Sequence, residues 1–150
     1  MVATSSSDDK LARVMGMGAE HGINYRTTPA WGREVMRVTG GEGVTNTVDV
    51  GGAATLVQSI EATRVGGTIS LIGILSGTNV EIDVAAVFRK GLNVRSVDFG
   101  SRAMLVSLID AVVTNRIDSV IDRVFAFDDV RAAYRHLESG AHFGKVVVHI

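Results

Sequence analysis

The sequence predicts an α/β fold, a doubly wound and mostly parallel sheet with helices on both faces. Three observations carry that expectation. Short β-branched runs alternate with amphipathic stretches of about a dozen residues, the rhythm of βαβ units. Glycines close the strand-like runs, as Gly51-Gly52 and Gly73 do. The run Thr68-Ile69-Ser70-Leu71-Ile72-Gly73 is apolar enough to be a central strand covered on both faces.

The elements follow in order. Residues 1–5 form a strand, Ser6 and Asp9 give an S-x-x-D helix start, and Leu11, Val14 and Met15 supply an i, i+3, i+4 stripe that Gly18 ends. Residues 22–25 are a short second strand. Thr28 is placed to cap the next helix, with Pro29 at the position where its missing N–H does no harm. Trp31, Val35 and Val38 are its expected buried positions. The turn Gly40-Gly41-Glu42-Gly43 leads to a strand over 44–50. A helix over 53–65 is expected to bury Leu56, Val57 and Ile60, and Gly66-Gly67 returns the chain to a strand over 68–73. Residues 83–90 read as a short helix and 93–97 as a strand. Arg102–Thr114 carries Leu105, Leu108, Ile109 and Val112 on one side. A strand over 121–125, a helix with Val130, Ala133, Tyr134 and Leu137 inward, and a strand over 145–150 complete the chain. Right-handed crossovers predict that strand 1–5 lies beside strand 44–50, with Gly51 and Gly73 at C-terminal strand ends.

Composition narrows the function. At 150 residues the chain fits one domain with a substantial core. Fifteen Lys+Arg against sixteen Asp+Glu give a formal charge of -1 and no basic block, which argues against nucleic acid as a partner. No apolar stretch approaches the roughly 20 residues that span a bilayer, and no signal-peptide pattern opens the chain, so a cytoplasmic protein without membrane association is expected. With no cysteine there is no thiolate nucleophile or thiolate metal ligand, and the four histidines form no close ligand pair.

In nucleotide-binding α/β units a glycine-rich turn follows the first strand, and the residue that reads the ribose ends the second. No glycine loop precedes the first helix here, so the chain reads as starting at the second strand, lacking the first strand and the glycine-rich loop. Ser5, Ser6 and Ser7 are placed to donate to a 2'-phosphate, and Lys10, about one helical turn on, to neutralise it. Thr4 and Ser5 stand where a carboxylate would accept from a free 2'-hydroxyl, which favours NADP(H) over NAD(H). The same serines also fit a helix cap completed by Asp8 and Asp9, and both roles are compatible at one helix start. Gly51-Gly52 and Gly73 suit either close ligand approach or ordinary turns. Asp49 fits a cap of the following helix. His142, beside Phe143-Gly144-Lys145, suits either a cofactor contact or a solvated loop.

Several runs together resemble one family. Val2-Ala3-Thr4-Ser5-Ser6-Ser7-Asp8-Asp9-Lys10-Leu11 and Met17-Gly18-Ala19-Glu20-His21-Gly22-Ile23-Asn24-Tyr25 are similar to the run that follows the glycine loop in medium-chain dehydrogenases/reductases. These are the zinc alcohol dehydrogenases and quinone reductases. Val48-Asp49-Val50-Gly51-Gly52, Gly66 to Gly73, Gly100-Ser101-Arg102 and Phe143-Gly144-Lys145-Val146-Val147-Val148 recur in the same order. The resemblance implies a Rossmann-like domain. It implies that Ser6, Ser7 and Lys10 meet the 2'-phosphate with Tyr25 packed at the same end, and that Gly51, Gly73 and Ile74 border the ribose and nicotinamide. Phe99, Gly100, His142 and Lys145 would close the site from later segments. Residues 1–120 would be a partial dinucleotide-binding domain, and 121–150 a segment that in full-length relatives packs on a catalytic domain. Zinc would enter only through that catalytic domain, and no catalytic residue or metal ligand is assigned in this chain.

The expected function is the cofactor-binding portion of an NAD(P)-dependent oxidoreductase, passing hydride between nicotinamide and a carbonyl, alcohol or enone of a small-molecule substrate. The alternative is a truncated, non-catalytic module that binds a nucleotide or mediates subunit contacts. The chain alone is expected to lack turnover and to form a homo-oligomer.

Overall fold

The computed structural model describes residues 1–150 and contains seven strands and six α-helices. Every strand pair is parallel. The chain divides into two compact units, Met1–Phe99 and Gly100–Ile150.

The first unit opens with β1 (Val2–Ser5), α1 (Asp8–Gly16) and β2 (His21–Asn24). β1 and β2 pair from Val2↔His21 to Ser5↔Asn24. Ser7 is the N-cap of α1, in extended conformation, and Asp8 and Asp9 fill the first turn. Leu11 is buried over Gly22, where a β-carbon would come within 3.3 Å of the leucine side chain. Met15, expected in the same stripe, is exposed.

Helix α2 (Trp31–Val38) starts later than expected, behind Ala30 and without a side-chain cap. The amide of Thr28 instead donates to the Asn24 carbonyl in a turn. Pro29 disfavours helical geometry at the residue before it, which keeps Thr28 out of the helix. A cap arrives from elsewhere in the chain: Gln58 Oε1 accepts the Gly32 amide at 2.9 Å. Trp31 and Val35 are buried as expected and form the core cluster with Ile23 and Ala62.

β3 (Val44–Asp49), α3 (Ala53–Ala62), β4 (Thr63–Leu71), α4 (Val84–Lys90) and β5 (Asn93–Ser96) complete this unit. The helix expected to reach residue 65 stops at Ala62, because Thr63 is recruited to the sheet. Its backbone pairs with Val44, and its hydroxyl bonds to the Ser59 carbonyl at 2.7 Å and to Thr47 Oγ1 at 2.6 Å. Lys90 Nζ donates to the carbonyls of Ile60, Glu61 and Thr63 at 3.0, 2.7 and 2.8 Å, closing the end of α3. Burial lowers the pKa of that amine. Gly66-Gly67 therefore lies within β4, where the register shifts between Val44↔Thr63 and Asn46↔Thr68. On α3, Ile60 is buried and Val57 is exposed, against the expectation that both point inward.

The expected pairing of β1 with β3 does not occur. β1 pairs with β2 alone, while β3 heads a separate β3-β4-β5 sheet. A cavity of about 540 Å³ separates the two edges, lined by Val2, Thr4, Trp31, Val44 and Val48 among others. Paired strands lie about 4.8 Å apart, so these two are held wider than a ladder allows. Val2 and Val44, the first residues of β1 and β3, pack on the same cluster of Ile23, Trp31, Val35 and Ala62. The other part of the expectation holds: Asp49 pairs with Leu71 at the end of the β3–β4 ladder, and Gly51 and Gly73 follow those ends.

The second unit contains α5 (Arg102–Thr114), β6 (Ile121–Ala126), a 3₁₀ turn (Phe127–Asp129), α6 (Val130–Glu138) and β7 (Lys145–His149). β6 and β7 pair in parallel. Ala133 is the buried residue of α6, whereas Tyr134 and Leu137 are exposed. A small residue at the contact point lets a helix approach closely, leaving the larger neighbours on its flanks. The stripe Leu105, Leu108 and Ile109 on α5 is also exposed. Amphipathic spacing records that a face suits burial, and burial needs a partner surface.

Candidate cofactor-binding site

At the end of β1 the backbone turns through three serines. Ser5 Oγ accepts the Ser7 amide at 3.3 Å, and Ser7 Oγ accepts the Lys10 amide at 3.4 Å. The Ser5 carbonyl accepts the Tyr25 amide at 3.0 Å, tying the end of β1 to the end of β2. Asn24 Nδ2 donates to Asp8 Oδ1 at 2.7 Å, which turns that acidic side chain toward β2. Ser5, Ser6, Ser7, Lys10 and Tyr25 are thus brought to one strand-end region. Ser7 is the cap, and the Ser6 hydroxyl makes no hydrogen bond within the chain. A helix start with an available hydroxyl and a lysine in its first turn suits a phosphate.

A second constellation occupies the ends of β3 and β4. Asp49 is 3% exposed, and its carboxylate accepts four hydrogen bonds. Oδ1 takes the amides of Gly51 and Gly52 at 3.1 and 3.0 Å and the Thr55 hydroxyl at 2.6 Å. Oδ2 takes the Ser59 hydroxyl at 2.6 Å. The loop after β4 locks onto the same turn. Ser76 donates from its amide and hydroxyl to the Gly51 carbonyl at 2.8 and 2.7 Å, and its Oγ accepts the Ala54 amide at 2.8 Å. The Gly77 carbonyl takes the Ala53 amide at 3.2 Å.

This packing explains the glycines. A β-carbon on Gly73 would collide with the Val50 carbonyl, and one on Gly52 would lie 2.9 Å from Ile74 Cα and 3.0 Å from the carbonyl oxygens of Gly73 and Gly77. Gly52 also has a φ of 88°, in the left-handed region. Loop-on-loop contact alone therefore demands glycine here. Gly51, Gly73 and the exposed Ile74 form one rim. Sequence reasoning found Asp49 as a cap but missed Thr55, Ser59 and Ser76. The two α3 hydroxyls, one helical turn apart, were a readable signal; Ser76, in an aperiodic loop, offered none.

Phe99 ends the first unit and is 97% exposed, and Gly100 begins the second. In the second unit the Lys145 amide donates to the Val120 carbonyl at 2.8 Å. His142 Nδ1 is buried without a hydrogen-bond partner, with its ring centroid 6.2 Å from that of His136. Asp122 meets His136 Nε2 at 2.7 Å and accepts the Phe143 amide at 2.8 Å. The His136 hydrogen bond, followed by the Phe143 amide, holds the Asp122 carboxyl below the usual carboxylate range. No group of three His, Asp or Glu side chains is arranged to hold a metal ion. No helix is long and apolar enough to cross a membrane.

Residues 1–114 match the family model described as zinc-binding dehydrogenase. The chain belongs to that family. The chain is 37% identical along its whole length to a zinc-type alcohol dehydrogenase-like protein of Schizosaccharomyces pombe. It spans 44% of that relative's length. A putative alcohol dehydrogenase from Sinorhizobium meliloti 1021 has a solved structure with 38% identity and a TM-score of 0.91, covering 99% of this chain and 43% of the other. A Pseudomonas syringae quinone oxidoreductase, 21% identical with a TM-score of 0.83, shares the fold and covers 99% of this chain and 48% of its own. The fold is the Rossmann-like one of these dehydrogenases, as the sequence resemblance implied.

Proposed function

We propose that this chain is the cofactor-binding portion of an NAD(P)-dependent oxidoreductase of the alcohol dehydrogenase and quinone reductase type, and that it prefers NADP(H). The observation that carries the preference is the group Ser5, Ser6, Ser7 and Lys10 at the end of β1, with no carboxylate from Thr4 to Ser7 and Asp8 engaged by Asn24. The solved relatives include one named NAD-dependent, at 34% identity, and a crotonyl-CoA carboxylase/reductase in complex with NADP. The choice between cofactors thus rests on this chain's own residues.

When bound, the nicotinamide supplies the site that gives or accepts hydride, exchanged with a carbonyl, alcohol or enone carbon. The chain's part is to bind and orient. The Ser6 hydroxyl and the Lys10 ammonium take the 2'-phosphate, and Tyr25 packs beside them. Gly51, Gly73 and Ile74 border the ribose and nicotinamide. The roles of Phe99, Gly100, His142 and Lys145 rest on the family resemblance. So does the division into a dinucleotide-binding part over 1–120 and a segment over 121–150 that packs on a catalytic domain. Residues of this chain do not fit a zinc site, so the proposal routes no step through zinc. Subunit association belongs to the same proposal, since the facing edges of β1 and β3 both lack a partner strand.

A charge-assisted contact to phosphate is worth about 1.5–3 kcal/mol. Lys10→Ala should therefore weaken NADPH about tenfold or more and leave NADH nearly unchanged in calorimetric titration. Equal losses for both would show that Lys10 acts through folding. The 150-residue chain alone should show no turnover. Steady-state consumption of NADPH with quinones or aldehydes by that chain would overturn its reading as a binding portion.

A further inference from the structure

We infer that Asp49 is the positioning residue of the rim at the ends of β3 and β4: its carboxylate holds the Gly51-Gly52 turn, and through that turn the loop over 73–77, in one conformation. The inference rests on reading that rim as the nicotinamide side of the site.

A buried carboxylate is costly unless its oxygens are satisfied, and Asp49 has no cation beside it. It is satisfied by donors alone: two turn amides and two hydroxyls from successive turns of α3. A simple helix cap needs one hydroxyl oxygen and one amide. The carboxylate gathers four donors from three separate places, which fixes the turn against both the strand end and the helix. The second loop is tied at its start by backbone, the Ile72 and Gly73 amides donating to the Asp49 carbonyl at 2.8 and 3.3 Å, and further along by the turn that the carboxylate holds. Ser76 and Gly77 bond to Gly51, Ala53 and Ala54, the residues that Asp49 has already placed. Gly73 and Ile74 lie between the backbone bonds to the Asp49 carbonyl and the contacts of Ser76 and Gly77. Asp49 itself is buried and its carboxylate is committed to these four donors, so its influence on the cofactor is geometric.

The test is amide hydrogen exchange by NMR on the 150-residue chain, comparing wild type with Asp49→Asn and Thr55→Val, alongside calorimetric titration with reduced nicotinamide mononucleotide and with adenosine 2',5'-bisphosphate. The neutral amide keeps the shape but loses charge assistance, which roughly doubles a hydrogen bond's strength. Exchange of the Gly51, Gly52 and Ser76 amides should rise about tenfold, equivalent to roughly 1.4 kcal/mol, while the β1–β2 amides stay within about twofold. Mononucleotide affinity should fall about fivefold or more and bisphosphate affinity should hold, a split that uniform loss of stability cannot produce. Thr55→Val removes one donor and leaves the carboxylate, so the same three amides should respond by about two- to fourfold. Unchanged exchange at these amides, or equal acceleration throughout the unit, overturns the inference. Failure of the wild-type chain to bind the mononucleotide overturns the nicotinamide reading of the rim, while exchange still judges the tether.

Discussion

Helices α1 and α3 both start at the end of a parallel strand, and they treat their first amides in opposite ways. At α1 the capping oxygen comes from Ser7, a neutral side chain, and the Ser6 hydroxyl stays unbonded. At α3 the amides of Gly52, Ala53 and Ala54 are all taken, by Asp49, by the Gly77 carbonyl and by Ser76. A helix start binds an anion only where its donors are available; at α1 the first-turn carboxylates are Asp8, turned to Asn24, and Asp9, and neither side chain caps the helix. α3 carries a buried carboxylate at that place, so it would repel a phosphate. The difference teaches a division of labour: the β1–α1 end is chemically open to a charged group, and the β3–α3 end is spent on fixing backbone shape.

The largest effect that would break this comparison is at Asp49. Replacing it by alanine strands two amides and two hydroxyls, and leaving one buried group unsatisfied costs about 1–3 kcal/mol. Allowing for relaxation and non-additivity, Asp49→Ala should cost about 3–5 kcal/mol, lowering the thermal midpoint by roughly 10 °C in a chain of this size. A loss below about 1 kcal/mol by denaturant titration would mean that the rim does not depend on its carboxylate.

Next comes Gly73. An alanine there must displace the Val50 carbonyl, at the end of β3, and overpacking of this kind costs about 1–3 kcal/mol or more. Gly16→Ala in α1 is the matched control, because nothing lies within 4 Å of the added carbon. It should be neutral or stabilise by up to about 1 kcal/mol, as helix glycines replaced by alanine do. Chemical denaturation of both variants measures the contrast directly. Equal costs would remove the claim that one end is tightly built and the other open.

How much of this was legible in the sequence differs between the two ends in the same way. The α1 end is encoded locally: Ser6, Ser7, Asp8 and Asp9 are adjacent in the chain, and the cap is Ser7, one residue later than the Ser6–Asp9 signal places it. The α3 end is only half encoded. Asp49, Gly51, Gly52 and Thr55 are neighbours, but Ser76 reaches Gly51 from 25 residues away, out of a loop with no periodicity. The same limit explains the boundaries that moved. Thr63 left the helix for a strand because Val44 was there to pair with it, and α2 lost its expected cap to Gln58 on another helix. The pairing of β1 with β3 failed for a different reason. In the doubly wound order 3-2-1-4-5-6 the second and fourth strands are not neighbours, and β1 and β3 are read as those two.

The smallest expected effect probes the open end. Ser7→Ala removes the oxygen that accepts the Lys10 amide, and loss of a serine cap costs about 1 kcal/mol. That should lower the thermal midpoint by roughly 2–4 °C. Ser6→Ala removes a hydroxyl with no partner in the chain, so its midpoint should stay within about 1 °C of wild type. The two variants should exchange order when adenosine 2',5'-bisphosphate is titrated. Ser6→Ala would then lose a hydrogen bond to phosphate, worth about 1.5–3 kcal/mol, while Ser7→Ala would lose little, because its hydroxyl is already committed to the helix. If Ser7→Ala weakens bisphosphate more than Ser6→Ala does, the capping hydroxyl is also the phosphate ligand, and the α1 end is not divided as the hydrogen bonds divide it.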